Sequence, residues 1–191
     1  PDQAHLRRGV AGDLAVFKIA GAAAEAGLTL DEVEKIAIRA NQKTVSFGVA
    51  FTGCTLPGAA EPVFTVPKGR MGIGLGIHGE PGIDRRPFSS LDCTVDEMFD
   101  TLLENGTYSR TLRQWDTVKG SWQDVTQSKQ ALQKGDRVIA LVNNLGATPL
   151  SELYGVYNRL ATRCEESGIT IERNLIGSYC TSLDMVGFSL T

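Results

Sequence analysis

Histidine is nearly missing from this chain: His5 and His78 are the only two in 191 residues. Cysteine is sparse as well. Cys54, Cys93, Cys164 and Cys180 lie far apart, with no C-x-x-C pair among them. A zinc site or a disulfide framework is therefore not expected, and the four read as reduced, partly buried thiols. Basic charge is in no excess. Lys and Arg number 19 against 22 Asp and Glu, a formal charge of −3, which argues against bulk binding to nucleic acid or anionic membrane. No apolar run approaches the length of a membrane span, and no secretory segment opens the chain. A cytoplasmic protein is expected. There is no Walker lysine motif, no internal repeat and no low-complexity tract.

What remains is ordinary globular composition, 42% hydrophobic and 21% charged, enough for one domain with a real core. Val10, Leu14, Phe17, Gly21 and Ala24 recur at helical spacing and predict a helix, its small residues (Ala20 to Ala24) suggesting tight packing against a neighbour and Gly27 ending it. Thr29 and Glu32 form a capping box for a second helix, with Val33, Ile36 and Ala37 inward. The alternation of Val45, Phe47, Val49 and Phe51 predicts a strand over Thr44–Thr52. A tight loop, Gly53 to Gly58, follows, and then a short edge strand at Phe64 and Val66. Met71 to His78 reads as a further strand, and Asp84 to Asp92 as polar surface. Thr94 and Glu97 suggest a capping box opening a helix that Gly106 stops. Tyr108 to Gly135 is ambiguous, either a hairpin laid over the core or a loop that orders on a partner. Arg137 to Leu145 is apolar on both faces, as a central strand should be. A helix capped by Thr148 and ended by Gly168 leads to a strand over Ile169–Cys180. Val186 to Leu190 is the last strand, in a sheet that is expected to be incomplete. The β-α-β passage from Arg137 to Cys180 predicts an α/β fold with a mixed sheet flanked by helices, and 1–191 is read as a single domain.

The stretch that draws most attention is Gly72 to Ile83, where glycine alternates with apolar residues and then delivers His78 into a Gly-Glu-Pro-Gly turn. A neutral imidazole, with a reference pKa of about 6.5, can attack a carbonyl and form a covalent adduct. Gly76 and Gly79 leave room for a small substrate, and Glu80 can orient the ring. The alternative, a strand-end histidine bonded to a backbone carbonyl, stays open on pattern alone. Gly146 to Pro149 can hold a phosphate at a helix start or be a plain turn. The glycines at 72, 74 and 76 do not form a dinucleotide fingerprint, since they sit inside a predicted strand. Cys54 and Thr55 either border a pocket or pack as structure. Arg85 and Arg86 either meet an anionic partner or are solvated.

At Gly76-Ile77-His78-Gly79-Glu80-Pro81-Gly82 the chain resembles the substrate-binding subunit of dihydroxyacetone kinase. Arg8 to Ala11, Lys18 to Gly21, Gly53 to Pro57, Asn143 to Leu150 and Thr181 to Met185 carry the resemblance over nearly the whole chain. From Ile83 onward, Asp84-Arg85-Arg86-Pro87-Phe88 and the long 108–135 insert resemble the enterobacterial, phosphotransferase-linked branch. The resemblance implies the α/β second domain of that subunit, the family's N-terminal half lying outside this sequence. It implies that His78 bonds to dihydroxyacetone as a hemiaminal. It also implies a phosphoryl donor on an ADP-containing second subunit, recharged from phosphoenolpyruvate. No cofactor is expected on this chain, with ADP and Mg on the partner. A homodimer is implied, as is docking to a transcription activator, and a four-carbon ketose of the erythrulose type is the alternative substrate. The family's second catalytic histidine and its aspartate have no counterpart here, so the chain alone is expected to be inactive.

Overall fold

The structure, a computed structural model, describes residues 11–77, 82–104 and 106–191, and gives only the backbone of Arg110 and Leu112. Helices α1 (Gly12–Glu25) and α2 (Leu30–Lys43) come first, then strands β1 (Phe47–Ala50), β2 (Arg70–Ile73) and β3 (Asp84–Pro87). Helix α3 (Leu91–Glu104) precedes β4 (Tyr108–Asp116), β5 (Ser121–Lys129) and β6 (Arg137–Asn144). Helix α4 (Leu150–Glu166), β7 (Thr170–Gly177) and β8 (Gly187–Leu190) complete the chain. The described residues form a six-stranded sheet of order β3-β2-β1-β8-β6-β7 and a separate pair, β4-β5. Only β6 and β7 run parallel; the other pairs in the sheet are antiparallel. This is the α/β fold with a mixed sheet that the β-α-β pattern predicts, because a parallel neighbour needs a crossover and α4 supplies it.

Helices α3 and α4 cover one face. Val49, Met71, Ile73, Ala140, Val142 and Phe188 of the sheet share one buried cluster with Val95, Met98 and Phe99 of α3 and Leu153, Val156 and Leu160 of α4. Cys164 packs there too, burial pushing its thiol up to about 11, so it serves as a small apolar group. The two helices are also joined by charge. Arg159 grips Asp96 with both ends of its guanidinium, at 2.7 and 2.8 Å. Arg163 reaches Asp96 at 3.1 Å and Asp100 at 2.6 Å, its guanidinium 5.0 Å from the Phe99 ring centre.

Several elements differ from expectation. The last strand, β8, expected in an incomplete sheet, is central, lying between β1 and β6 with all four residues buried. Phe64 and Val66 lie in a loop instead of a strand, pinned where Val63 N–H donates to the Cys54 carbonyl at 2.8 Å. Helix α3 starts at Leu91, and Ser90 caps it by accepting the Cys93 N–H at 3.1 Å. Thr94 is therefore inside the helix, its hydroxyl turned back to the Ser90 carbonyl. On α1 the periodic residues do not form a buried stripe: Leu14 is half-buried, Phe17 is 70% exposed, and Ala23 is buried while Ala24 is exposed. The cap on α2 holds, with Glu32 accepting the Thr29 N–H at 2.8 Å.

The 108–135 segment is a hairpin, but it stands on α2 rather than over the sheet. The Tyr108 hydroxyl donates to the Gln42 carbonyl at 3.1 Å, and Trp115 packs edge-on against Trp122 with ring centres 5.6 Å apart. Asp84 to Pro87, read as polar surface, is exposed throughout and forms an edge strand. Phe88 N–H pairs with the Gly69 carbonyl, so alternation turns the Arg85 and Pro87 backbone outward. Asp84 Oδ1 accepts the Arg85 N–H at 2.6 Å, and the Arg70 guanidinium covers the Arg85 carbonyl. No described helix is long and apolar enough to cross a membrane.

Candidate functional site

The strand expected to run to His78 ends at Ile73, because Gly74 has a φ of +67°, which turns the chain. The chain then folds back across β2 on the face away from α3. Leu75 sits over Gly72, where a β-carbon would lie 2.3 Å from Leu75 Cδ1. Glycine at 72 is thus a seat for the returning chain. Leu75 joins a second, smaller apolar cluster with Ala50, Cys54, Leu145 and Met185, onto which Phe64, Val66 and Ile77 pack. Gly76 is half-buried on this path. His78, Gly79 and Glu80, the remaining expected site residues, lie outside the described residues.

The fold-back delivers Ile77 to the end of the sheet where β1 and β6 finish and β8 begins. In a sheet with a parallel pair, the carboxyl ends of the strands are where crevices form. Here three loops meet it, and side chains hold them. Ser182 donates its hydroxyl to the Ile77 carbonyl and its N–H to the Leu145 carbonyl. Asp184 Oδ1 accepts the Thr55 N–H at 2.6 Å, a bond that holds its carboxyl below the ordinary range. Thr52 Oγ1 accepts the Val186 N–H at 2.8 Å.

Two buried asparagines at the end of β6 serve as backbone surrogates. Asn143 Oδ1 accepts N–H groups from Tyr179 and Cys180, and its amide donates to the Cys180 carbonyl at 2.8 Å. Asn144 Oδ1 accepts those of Gly146 and Thr148, at 2.9 and 3.0 Å. The Thr148 hydroxyl donates to the Gly187 carbonyl at 2.7 Å, so Thr148 ties β8 to the loop instead of capping α4. The phosphate-loop alternative at 146–149 falls for the same reason. The amides of Gly146 and Thr148 are taken by Asn144, and that of Ala147 by the Met185 carbonyl.

Cys54 is buried in the small cluster, whereas Thr55 does border the site. Arg86 is occupied by Asp84 and Glu97 on the exposed edge. Sequence reasoning assigned no role to Ser182, Asp184 or the asparagine pair. Consecutive asparagines closing an apolar strand before Gly-Ala-Thr-Pro were the available signal, since such side chains substitute for backbone partners in turns. No group of three His, Cys, Asp or Glu among the described residues is arranged to hold a metal.

Three segments distant in sequence, 53–57, 143–150 and 181–185, thus converge beside Ile77. The Dak1 domain matches residues 1–191, the whole chain. The chain belongs to the Dak1 domain family. This Dak1 chain is 65% identical over 185 residues to the PEP-dependent dihydroxyacetone kinase, dihydroxyacetone-binding subunit DhaK of Escherichia coli, covering 97% of the chain and 52% of that protein. It is 47% identical to the L-erythrulose 1-kinase of Mycolicibacterium smegmatis, covering all of the chain and 30% of that enzyme. In fold it is similar to the dihydroxyacetone kinase operon co-activator Dha-DhaQ, with a TM-score of 0.78 and 28% identity over 96% of the chain and 49% of that structure. It is also similar to the native dihydroxyacetone kinase of C. freundii, with a TM-score of 0.72 and 32% identity over 96% of the chain and 29% of that structure. The Dak1 chain therefore spans about half the length of its E. coli relative and less of the kinases.

Proposed function

We propose that this chain is the histidine-bearing domain of a dihydroxyacetone-binding kinase subunit, and that His78 anchors the substrate covalently. The observation that carries the reading is the 65% identity to the E. coli dihydroxyacetone-binding subunit across 97% of the chain. The Gly-Ile-His-Gly-Glu-Pro-Gly stretch and the three loop segments gathered beside Ile77 support it. A ring nitrogen of His78 bonds to the carbonyl carbon. The carbonyl π pair moves to oxygen, which takes a proton, and the other ring nitrogen releases one. The hemiaminal so formed weighs the sum of protein and substrate. This chemistry selects ketones and aldehydes over glycerol, which has no carbonyl, and it holds a terminal hydroxyl still for phosphoryl transfer.

In this reading the donor is an ADP- and Mg-bearing partner subunit recharged from phosphoenolpyruvate. The subunit is a cytoplasmic homodimer, and groups outside these 191 residues complete the acid–base chemistry, so the chain alone is inactive. The identity to an L-erythrulose 1-kinase, 47%, favours a four-carbon ketose as the second reading. The fold similarity to a co-activator supports an added role in docking a transcription activator. Native mass spectrometry with dihydroxyacetone and with erythrulose is the test. An adduct of one substrate mass is expected on the unaltered protein and none on His78→Ala. An adduct that survives the substitution overturns the assignment.

A further inference from the structure

The geometry points to Ser182 as a positioning residue for the covalent step, acting through the Ile77 peptide. This inference rests on the reading of His78 above. Ser182 is only 5% exposed, and its backbone is fixed on both sides: its N–H donates to the Leu145 carbonyl, and its carbonyl accepts the Met185 N–H at 3.0 Å. Its hydroxyl is therefore held in place, and it donates to the carbonyl of Ile77. Between described residues, this is the one hydrogen bond made by the 75–77 backbone. The other ties are apolar, the Leu75 side chain in the small cluster and the Ile77 side chain packed against it.

That carbonyl belongs to the peptide group through which the chain continues to residue 78. A peptide group is planar, so fixing its oxygen removes the rotation about ψ of Ile77. A nucleophile must be held within a fraction of an ångström of its productive geometry, and its supporting groups supply that precision. The apolar packing of Leu75 and Ile77 is non-directional and does not by itself set the orientation of that peptide. Ser182 removes that freedom, and its own loop is tied to the 53–57 loop through Asp184 and Thr55.

The test uses the full-length protein with its phosphoryl-donor subunit. Ser182→Ala is expected to lower adduct occupancy at limiting dihydroxyacetone about ten- to a hundredfold, to move the pH profile of adduct formation, and to leave the KM for the donor subunit unchanged. Ser182→Thr, which keeps the hydroxyl, is expected to restore most of the loss. Ser46→Ala removes a hydroxyl bonded to Thr191 at 2.7 Å at the other end of the sheet, and it is expected to change none of these readouts. If Ser182→Ala does not fold, Ser182→Cys carries the test as a near-isosteric weak donor. Wild-type adduct affinity and pH profile in the folded alanine or cysteine variant overturn the inference while the His78 reading stands. Absence of an adduct from the unaltered protein overturns both.

Discussion

The cluster under α3 and α4 gathers fifteen buried side chains, whereas the cluster at the loop end has five. The first is held by area removed from water, with charge pairs only at its rim. The second has too little apolar area to order three loops and relies on Ser182, Asp184, Asn143 and Asn144 bonded to backbone groups. Apolar burial is non-directional, so the large cluster fixes that the sheet and helices meet. Hydrogen bonds are directional, so the small cluster fixes where each loop backbone stops. A site needs the second kind of order, and it stands on the first.

Truncating Leu153, 1% exposed, should have the largest effect on stability. Leu153→Ala is expected to cost about 2–5 kcal/mol in urea unfolding, with hydrogen exchange at 178–187 hastened only as much as global unfolding requires. Asn143→Ala should invert that pattern. It leaves the partly buried Tyr179 and Cys180 N–H groups without their acceptor, at no more than the about 1–3 kcal/mol of an unpaired buried donor, and exchange at 178–187 should accelerate well beyond the global change. Equal behaviour of the two variants would erase the distinction between the clusters.

Asp96→Asn probes the rim of the large cluster, with an expected cost near neutral pH of about 1.5–3 kcal/mol at most, the value of hydrogen bonds to a charged group. The Arg159 hydrogen bonds, with Arg163 behind them, hold the Asp96 carboxyl below the ordinary carboxylate value. A depressed pKa gives stability that is fully present above the unfolded value of about 3.9 and lost as pH falls through the lower folded value. The gap between wild type and Asp96→Asn should therefore be widest near neutrality and close in acid, as thermal melts across pH would record.

The parts of the fold legible in sequence were those set by periodicity. The β6-α4-β7 crossover and the cap at Thr29 both followed from spacing. What was not legible depended on partners far along the chain. Nothing near Val186 announces that the last strand inserts between β1 and β6. Phe17 lies in a helical stripe whose partner periodicity cannot name, and its side chain is exposed. The run of alternating glycines looked like a strand because alternation is the strand signal, yet Gly74 turns the chain at positive φ. At the site, the histidine stretch was recognisable by residue type. The hold on its approach was not, since Ser182 and Ile77 are 105 residues apart.

The covered edge at β3 bears on how the molecule behaves in company. With the outward Arg85 N–H satisfied by Asp84, its carbonyl by Arg70, and no N–H on Pro87, that side offers no donor to an incoming strand. The central sheet is therefore a ribbon with one sealed margin. Strand-to-strand association through it, whether orderly pairing or aggregation at high concentration, is directed to the opposite margin at β7.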